Sequence, residues 1–152
     1  MKDADDEGAP IEVLLIEDSP GDARLTQEAF RAAGETMRLH TVADGVEAMA
    51  FLRNEGIYSH SPRPDLILLD LNLPKMDGRQ VLAQVKEDDS LKLIPTVILT
   101  TSSSDEDITK SYQLQANCYL SKPVQLDAFD DLVRSINDFW LTKVKLPQHL
   151  KV

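Results

Sequence analysis

The sequence predicts an α/β domain in which five parallel strands form one doubly wound sheet with helices on both faces. Apolar runs of strand length alternate five times with segments of helical periodicity, and no internal repeat is present. Two of the runs, residues 13–16 and 66–69, are wholly apolar, as expected of strands that are buried on both faces. A chain of 152 residues can bury a substantial core as one domain without disulfides or structural metals.

The first strand is followed directly by two acids, Glu17 and Asp18. Ser19 is expected to cap the next helix, with Pro20 at the first helical position. Gly34 is expected to end this helix. Its inward-facing side chains are predicted to be Leu25, Ala29, Phe30 and Ala33.

The second unit begins with a partly polar strand over residues 37–43. The Asp44-Gly45 pair then starts a helix that is expected to end at Gly56. Its inward face is predicted to consist of Val46, Met49, Ala50 and Leu52. Residues 57–64 contain two prolines and are expected to form a loop that leads into the third strand.

The third strand ends abruptly on Asp70, and Asp77 is expected to cap the helix that follows. That helix is predicted to bury Val81, Leu82 and Val85. The fourth strand, residues 95–101, is apolar and β-branched until it reaches hydroxyl side chains, and Ser103 or Ser104 is expected to cap the next helix.

The fifth strand is predicted over residues 117–120 and is followed by Lys122. The last helix is expected to begin near Gln125 and to run into Phe139 and Trp140. Its inward-facing side chains are predicted to be Leu126, Phe129, Leu132, Val133 and Ile136.

Composition excludes several classes of protein. Acidic residues outnumber basic ones 26 to 16, and the resulting charge of −10 opposes binding to nucleic acid. Cys118 is the only cysteine, so no intrachain disulfide can form, which favours a reducing cytoplasm. The acidic N-terminus, residues 1–10, is expected to be flexible, and no apolar run is long enough to span a membrane.

Chemically distinctive side chains follow four of the predicted strands, and the carboxyl ends of parallel strands share one edge of the sheet. This edge is predicted to receive Glu17, Asp18, Asp70, Thr100 and Lys122. Two carboxylates ~5 Å apart at an effective dielectric constant of ~20 repel by roughly 3 kcal/mol, so a divalent cation is expected among the three acids. Oxygen ligands favour Mg²⁺, and with the lysine and the hydroxyl they suit phosphoryl transfer to Asp70.

Each of these side chains also has a purely structural interpretation. A single aspartate at a strand end more often caps a helix, and Glu17 with Asp18 could serve only the positive end of the following helix. Lys122 could be a solvated loop residue, and Thr100 an ordinary strand residue. Their convergence on one edge is what favours a chemical role.

The Glu17-Asp18 pair, the segment LLDLNLPKMDG around Asp70, Thr100 and the Lys122-Pro123 pair resemble the CheY-like receiver domain of two-component response regulators. The resemblance covers roughly residues 11–136 and implies a flavodoxin-like strand order of 2-1-3-4-5. It implies that Asp70 accepts a phosphoryl group from a phosphohistidine of a sensor histidine kinase. Asp18, Asp70 and the main-chain carbonyl of Asn72 would then bind Mg²⁺, with Glu17 acting through water.

The resemblance also implies a conformational switch. Lys122 would pair with the phosphoryl oxygens and be held by a cis peptide bond to Pro123. Thr100 would hydrogen-bond to the phosphoryl group, and Tyr119 would change rotamer when Thr100 moves. The surface expected to respond comprises the fourth helix, the fifth strand and the fifth helix.

The opening VLLIEDSPGDARL and the ending FWLTKVKLP are further similar to single-domain response regulators that pair with bacterial and cyanobacterial phytochromes. This implies a phytochrome as the sensor kinase and a homodimer, with Phe139, Trp140 and Leu146 as candidate contacts. Residues 11–138 are expected to form the receiver domain and residues 139–152 a C-terminal extension without an output domain. Phe139 and Trp140 could instead fold against their own core.

Three other functions are alternatives to that of a signalling phosphoacceptor. A Mg²⁺-dependent phosphatase of the haloacid dehalogenase type also uses an aspartate at a strand end, but it needs a second acid where this chain has Asn72. A flavodoxin-like cofactor binder would need a neutral phosphate cradle where this chain has EDSPGD. A receiver fold that serves only as a binding module would not need the complete set of site residues. We therefore expect no enzyme activity beyond self-phosphorylation and self-dephosphorylation.

Overall fold

The computed structural model describes residues 10–33 and 37–147, in which five strands alternate with five α-helices. The strands are β1 (Ile11–Ile16), β2 (Met37–Val42), β3 (Leu66–Leu69), β4 (Thr96–Thr100) and β5 (Cys118–Ser121). The helices are α1 (Pro20–Ala33), α2 (Gly45–Leu52), α3 (Gly78–Glu87), α4 (Asp105–Gln113) and α5 (Leu126–Ile136). Two short 3₁₀ helices, Gly56–Tyr58 and Leu91–Leu93, precede β3 and β4, and a π-helical segment, Asn137–Leu141, continues α5.

The five strands form one parallel sheet in the order β2-β1-β3-β4-β5, which confirms the predicted fold class and strand order. In the register, Ile16 lies beside Leu69, and Leu69 beside Ile98. Main-chain hydrogen bonds continue past the strand ends, from Asp70 N to Ile16 O at 3.0 Å. The residues that follow the strands are therefore fixed side by side at one edge.

The core lies on both faces of the sheet, because alternate strand side chains point to opposite sides. On β1, Leu14 and Ile16 pack with α2 and α3, whereas Val13 and Leu15 pack with α1 and α5. All four side chains of β3 are fully buried. The wholly apolar runs of the sequence therefore are strands covered on both faces, as predicted.

The helix starts follow the predicted capping residues. Ser19 Oγ accepts a hydrogen bond from Asp22 N at 3.2 Å, and Ser104 Oγ accepts one from Asp107 N at 3.1 Å. Asp77 forms a full capping box with Gln80 at the start of α3. Gly34, the predicted end of α1, lies outside the described residues.

Helix α2 differs from its prediction at both its end and its inward face. It ends at Leu52 rather than at Gly56, because Asn54 has a left-handed φ of 56° that an α-helix cannot accommodate. Met49 and Leu52 are buried as predicted, but Val46, also predicted to face inward, is 51% exposed. Ala50 is half-buried, and the other buried positions are Gly45, Ala48 and Phe51. Tyr58 packs on Phe51 and donates to Glu47 Oε1 at 2.9 Å, so the segment after α2 turns back over the helix.

Helix α5 buries Phe129, Val133 and Ile136 as predicted, but Leu126 is 65% exposed. Leu126 is the first residue of the helix, so no preceding turn holds it against the core. The π-helical continuation buries Leu141 in the same cluster as Val133. None of the described helices has the length and apolar character that crossing a bilayer requires.

The loop between β3 and α3 packs closely against two glycines. A Cβ at Gly78 would lie 2.2 Å from the carbonyl oxygen of Asp70 and 2.6 Å from the Cα of Leu71. A Cβ at Gly45 would lie 2.1 Å from the carbonyl oxygen of Met76. Both glycines are therefore required for the backbone around Asp70 to turn as tightly as it does.

We expect the substitution Gly78→Ala to lower the free energy of unfolding by about 2–3 kcal/mol, because the added methyl group meets main-chain atoms that cannot move independently. Urea denaturation followed by circular dichroism measures this. The control is Gly21→Ala in α1, where the nearest atom to a Cβ is Ser19 Oγ at 3.9 Å and stability should be unchanged or rise by up to about 1 kcal/mol. Equal stability of Gly78→Ala and wild type would contradict the expectation.

Candidate functional site

The edge formed by the carboxyl ends of β1, β3, β4 and β5 brings together the five predicted side chains. Glu17 and Asp18 follow β1, Asp70 follows β3, Thr100 ends β4 and Lys122 follows β5. The main-chain bond from Lys122 N to Thr100 O, at 2.6 Å, extends the pairing of β4 with β5 by one residue. The positions of these side chains are therefore fixed by the parallel register of the strands and do not depend on flexible loops.

Lys122 is the centre of the site. Its side chain is 3% exposed, and Nζ donates to Glu17 Oε1, to Asp70 Oδ2 at 3.1 Å and to Asp22 Oδ2 at 3.1 Å. An ammonium group has three hydrogens, so all three donors are used. Lys122 is thus held by side chains from β1, α1 and β3, and the solvated-loop interpretation does not apply.

The Asp70 carboxylate is oriented by hydrogen bonds on both oxygens. Oδ1 accepts from Thr100 Oγ1 at 2.8 Å and from Asn72 N at 3.1 Å, while Oδ2 accepts from Lys122. Asp70 is buried apart from a small accessible area. The interpretation of Asp70 as a helix cap fails, because Asp77 caps α3.

Burial and neighbouring charges have opposite effects on the pKa values of Glu17 and Lys122. Burial raises the pKa of Glu17 to about 7, although the hydrogen bond and positive charge of Lys122 act in the opposite direction. Burial also lowers the pKa of Lys122, but the hydrogen bond to Glu17 and the charges of Glu17 and Asp70 outweigh burial and raise it overall. Lys122 is therefore a cation whose charge is held in place by the acids around it.

Three acids form a cluster that suits a divalent cation. One carboxylate oxygen from each of Glu17, Asp18 and Asp70 lies within 4.8 Å of the others. Asp18 is exposed, whereas Glu17 and Asp70 are buried, so the cluster opens to solvent on one side. Hard oxygen donors with access from solvent are what a divalent cation such as Mg²⁺ or Mn²⁺ requires.

Asp22, in the first turn of α1, is a member of the site that was not predicted from the sequence. It lies 3.1 Å from Lys122 Nζ. The signal in the sequence was that α1 starts at the same edge of the sheet and is acidic in its first turn.

The resemblance also implied a cis peptide bond between Lys122 and Pro123, but the described residues contain no cis bond. The trans form that is found is the lower-energy form of an X-Pro bond.

Tyr119 on β5 contacts the loop that follows β4. Its hydroxyl donates to the carbonyl oxygen of Ser102 at 3.0 Å, and Ser121 Oγ donates to the same oxygen at 3.1 Å. The hydroxyl is thus bonded to the main chain rather than to water alone. Tyr119 links β5 to a residue only two positions beyond Thr100.

The candidate dimer residues lie on the continuation of α5 and beyond it. Phe139 is 54% exposed, and its ring meets Trp140 edge to face at a centroid distance of 5.7 Å. Trp140 packs against the core cluster that contains Leu141, and Leu146 is half-buried. Only Phe139 of the three is free to offer a large apolar surface.

Comparison with known proteins gives consistent matches. The family model of the response regulator receiver domain matches residues 13–134. The chain is 49% identical to the response regulator Rcp1 of Synechocystis sp. strain PCC 6803 over 144 residues, which is 95% of this chain and 98% of Rcp1. The crystal structure of Mn²⁺-bound Rcp1 is similar with a TM-score of 0.88 and 50% identity, over 91% of this chain and 99% of that chain.

The phosphorylated cyanobacterial phytochrome response regulator RcpA is similar to the same degree, with a TM-score of 0.89 and 50% identity over 91% of this chain and 99% of that chain. These matches favour the response-regulator prediction over the phosphatase alternative. The chain belongs to the response regulator receiver domain family of two-component signalling proteins.

Proposed function

We propose that Asp70 accepts a phosphoryl group from a phosphohistidine of a sensor histidine kinase. The observation that carries this proposal is the buried Asp70 carboxylate, whose two oxygens are held by Thr100 and Lys122 at the strand edge. A nucleophile must be oriented and must face groups that stabilise the charge of the transferred phosphoryl group. Thr100 and Lys122 meet both needs.

In the transfer, a carboxylate oxygen of Asp70 attacks phosphorus. The new O–P bond forms as the N–P bond of the phosphohistidine breaks, and the imidazole leaves with the bonding electron pair and takes up a proton. Lys122 stabilises the charge on the phosphoryl oxygens, and the Thr100 hydroxyl donates a hydrogen bond to one of them. Water later hydrolyses the phosphoaspartate, so the chemistry is confined to this chain's own phosphorylation and dephosphorylation.

We propose Mg²⁺ as the cation, with Asp18, Asp70 and the main-chain carbonyl of Asn72 as ligands and Glu17 acting through water. The clustering of oxygen donors around Asp70 supports this assignment. When bound, the cation supplies positive charge that offsets the negative charge of the phosphoryl group and the acids. Glu17 would then keep its bond to Lys122, and the more exposed Asp18 would be available as a ligand of the cation.

Phosphorylation is proposed to change the surface formed by α4, β5 and α5. Thr100 follows the new phosphoryl oxygens, and the loop after β4 moves with it. Tyr119, which is bonded to Ser102 in that loop, then changes rotamer. The chain thus converts one covalent change into a new contact surface.

For the partner, we propose a phytochrome that carries a histidine kinase. RcpA is a cyanobacterial phytochrome response regulator and is 50% identical to this chain, which supports the assignment.

A cytoplasmic location is consistent with a kinase partner and with the single cysteine. The acidic charge of −10 argues against binding to nucleic acid and to anionic membrane surfaces.

We also propose that residues 11–138 form the receiver domain and that residues 139–152 extend it into a homodimer contact. Phe139 is the candidate centre of this contact, with Trp140 and Leu146 beside it. The exposed ring of Phe139 supports the proposal, because large aromatic side chains contribute most at the centre of interfaces.

A phytochrome kinase labelled with radioactive ATP is expected to transfer the label to this protein in the presence of Mg²⁺, and the transfer should differ between red light and darkness. Asp70→Asn should abolish labelling, because the amide is a far weaker nucleophile than the carboxylate. The matched control is Asp89→Asn, which changes an exposed aspartate and should leave labelling unchanged. Persistent labelling of Asp70→Asn would refute the assignment of the acceptor, and light-independent transfer would argue against a phytochrome.

Asp18→Asn is expected to weaken Mg²⁺ binding at least tenfold, because one of the clustered anionic ligands is lost while the fold is retained. Isothermal titration with Mg²⁺ measures the dissociation constant. Asp127→Asn, an exposed acid in the first turn of α5, is the control and should bind Mg²⁺ as wild type does. Equal affinity of Asp18→Asn and wild type would remove Asp18 from the ligand set.

Phe139→Ala is expected to weaken homodimer association about tenfold, because the exposed ring supplies the largest apolar area of the proposed contact. Sedimentation velocity over a range of concentrations measures it, before and after phosphorylation. Ile57→Ala removes another exposed apolar side chain, 88% exposed, and should leave association unchanged. A wild-type chain that sediments as a monomer at every concentration would disprove the dimer.

A further inference from the structure

Arg79, in the first turn of α3, connects this helix to α4. Its guanidinium donates to Asp107 Oδ1 from Nε at 3.2 Å and from Nη2 at 2.7 Å. Nη1 also donates to both carboxylate oxygens of Asp77, the cap of α3, at 3.1 and 3.2 Å. Arg79 is thereby fixed to its own helix and bridges to the next one.

The acceptor of this ion pair also holds the loop that follows Thr100, residues 101–104. Asp107 Oδ2 accepts from Ser102 Oγ at 2.6 Å. The main-chain N–H of Asp107 is capped by Ser104 Oγ at 3.1 Å. Ser102 and Ser104 of the loop are therefore hydrogen-bonded to the residue that Arg79 binds.

The carbonyl oxygen of Ser102 in turn accepts the hydroxyls of Tyr119 and Ser121. A chain of direct contacts therefore runs from Arg79 through Asp107 and Ser102 to β5.

The hydrogen bond from Ser102, and to a smaller extent the one from Arg79, hold the pKa of Asp107 below its usual value, so Asp107 is an anion at neutral pH. The pair is 30% exposed at Arg79 and 22% at Asp107, so solvent screens it only in part.

The two ends of this chain belong to different parts of the site. Arg79 directly follows Gly78, where an added Cβ would lie 2.2 Å from the carbonyl oxygen of Asp70. Asp107 and Ser102 belong to the segment that follows Thr100. The ion pair thus joins the backbone that carries the acceptor to the loop that must shift when Thr100 follows a phosphoryl oxygen.

We propose that Arg79 is a positioning residue that, through Asp107, holds residues 101–104 in the arrangement without a phosphoryl group and so limits the rate of phosphoryl acceptance. This inference rests on the proposed phosphorylation of Asp70. Release of the ion pair lets Ser102 move with Thr100, so the arrangement that accepts the phosphoryl group is reached more often. The side chains of Arg79 and Asp107 take no part in the chemical step.

The test measures the initial rate of phosphorylation by phosphoramidate with Mg²⁺, without any kinase, so that partner binding does not enter. Arg79→Gln is expected to react about fivefold faster than wild type, at the lower end of coupling between sites. Arg79→Lys keeps a cation at this position and should return most of the way to the wild-type rate. Asp107→Asn should also react faster, and the double variant no faster than the faster single variant.

The matched control is Arg24→Gln, which breaks an exposed arginine-glutamate pair of 3.1 Å on α1, outside the surface formed by α4, β5 and α5, and should leave the rate unchanged. A merely structural pair predicts lower stability to urea for Arg79→Gln with no faster reaction. An unchanged or slower rate for Arg79→Gln, or additive effects in the double variant, would overturn the role of Arg79. Absence of labelling at Asp70 in wild type would instead refute the proposed function, so the two failures are distinguishable.

Discussion

The interaction on which the site depends is the contact of one buried ammonium group with three carboxylates. Lys122 reaches Glu17, Asp22 and Asp70, which come from β1, α1 and β3. Removing a charge from water is costly unless partners of opposite charge and full hydrogen bonding replace the water. The parallel sheet provides these partners, because its register brings the ends of β1, β3, β4 and β5, in this spatial order, to one edge. The strand register of the fold therefore determines which charged side chains meet in the site.

The second constraint is the tightness of the turn that carries Asp70. Gly78 and Gly45 let the backbone of this turn pass within contact distance of two helices, so Asp70 has little freedom to move. Thr100, in contrast, leads into a loop that is held by two hydrogen bonds: Ser102 Oγ donates to Asp107 Oδ2, and Ser104 Oγ accepts from Asp107 N. Side-chain bonds exchange more readily than close main-chain packing. Asp70, the proposed acceptor, is thus the fixed part of the site, and the loop after β4 is the part that can move.

The sheet and the strand-end residues could be predicted from the sequence because they depend on local patterns. An apolar run of strand length is visible in the sequence, and parallel strands must end at one edge. The exposure of Val46 and Leu126 could not be predicted, since it depends on which neighbours a helix meets and where its first turn begins. Asp22 and the pair of Arg79 with Asp107 were missed for a related reason. Each makes its decisive contact with a residue at least 28 positions away, and no periodicity encodes such a contact.

Charge balance explains why the proposed phosphorylation of Asp70 would require both a cation and a movable loop. Lys122 contacts three carboxylates, those of Glu17, Asp22 and Asp70, and Asp18 lies close to Glu17 and Asp70. A phosphoryl group adds further negative charge. A divalent cation beside Asp18 can offset part of this charge. The added phosphoryl oxygens still need hydrogen-bond donors, but all three hydrogens of Lys122 Nζ are already donated to carboxylates. A donor must therefore change its acceptor or move to the phosphoryl group. Thr100 is the candidate, because it donates to Asp70 and is followed by the loop after β4, which can move.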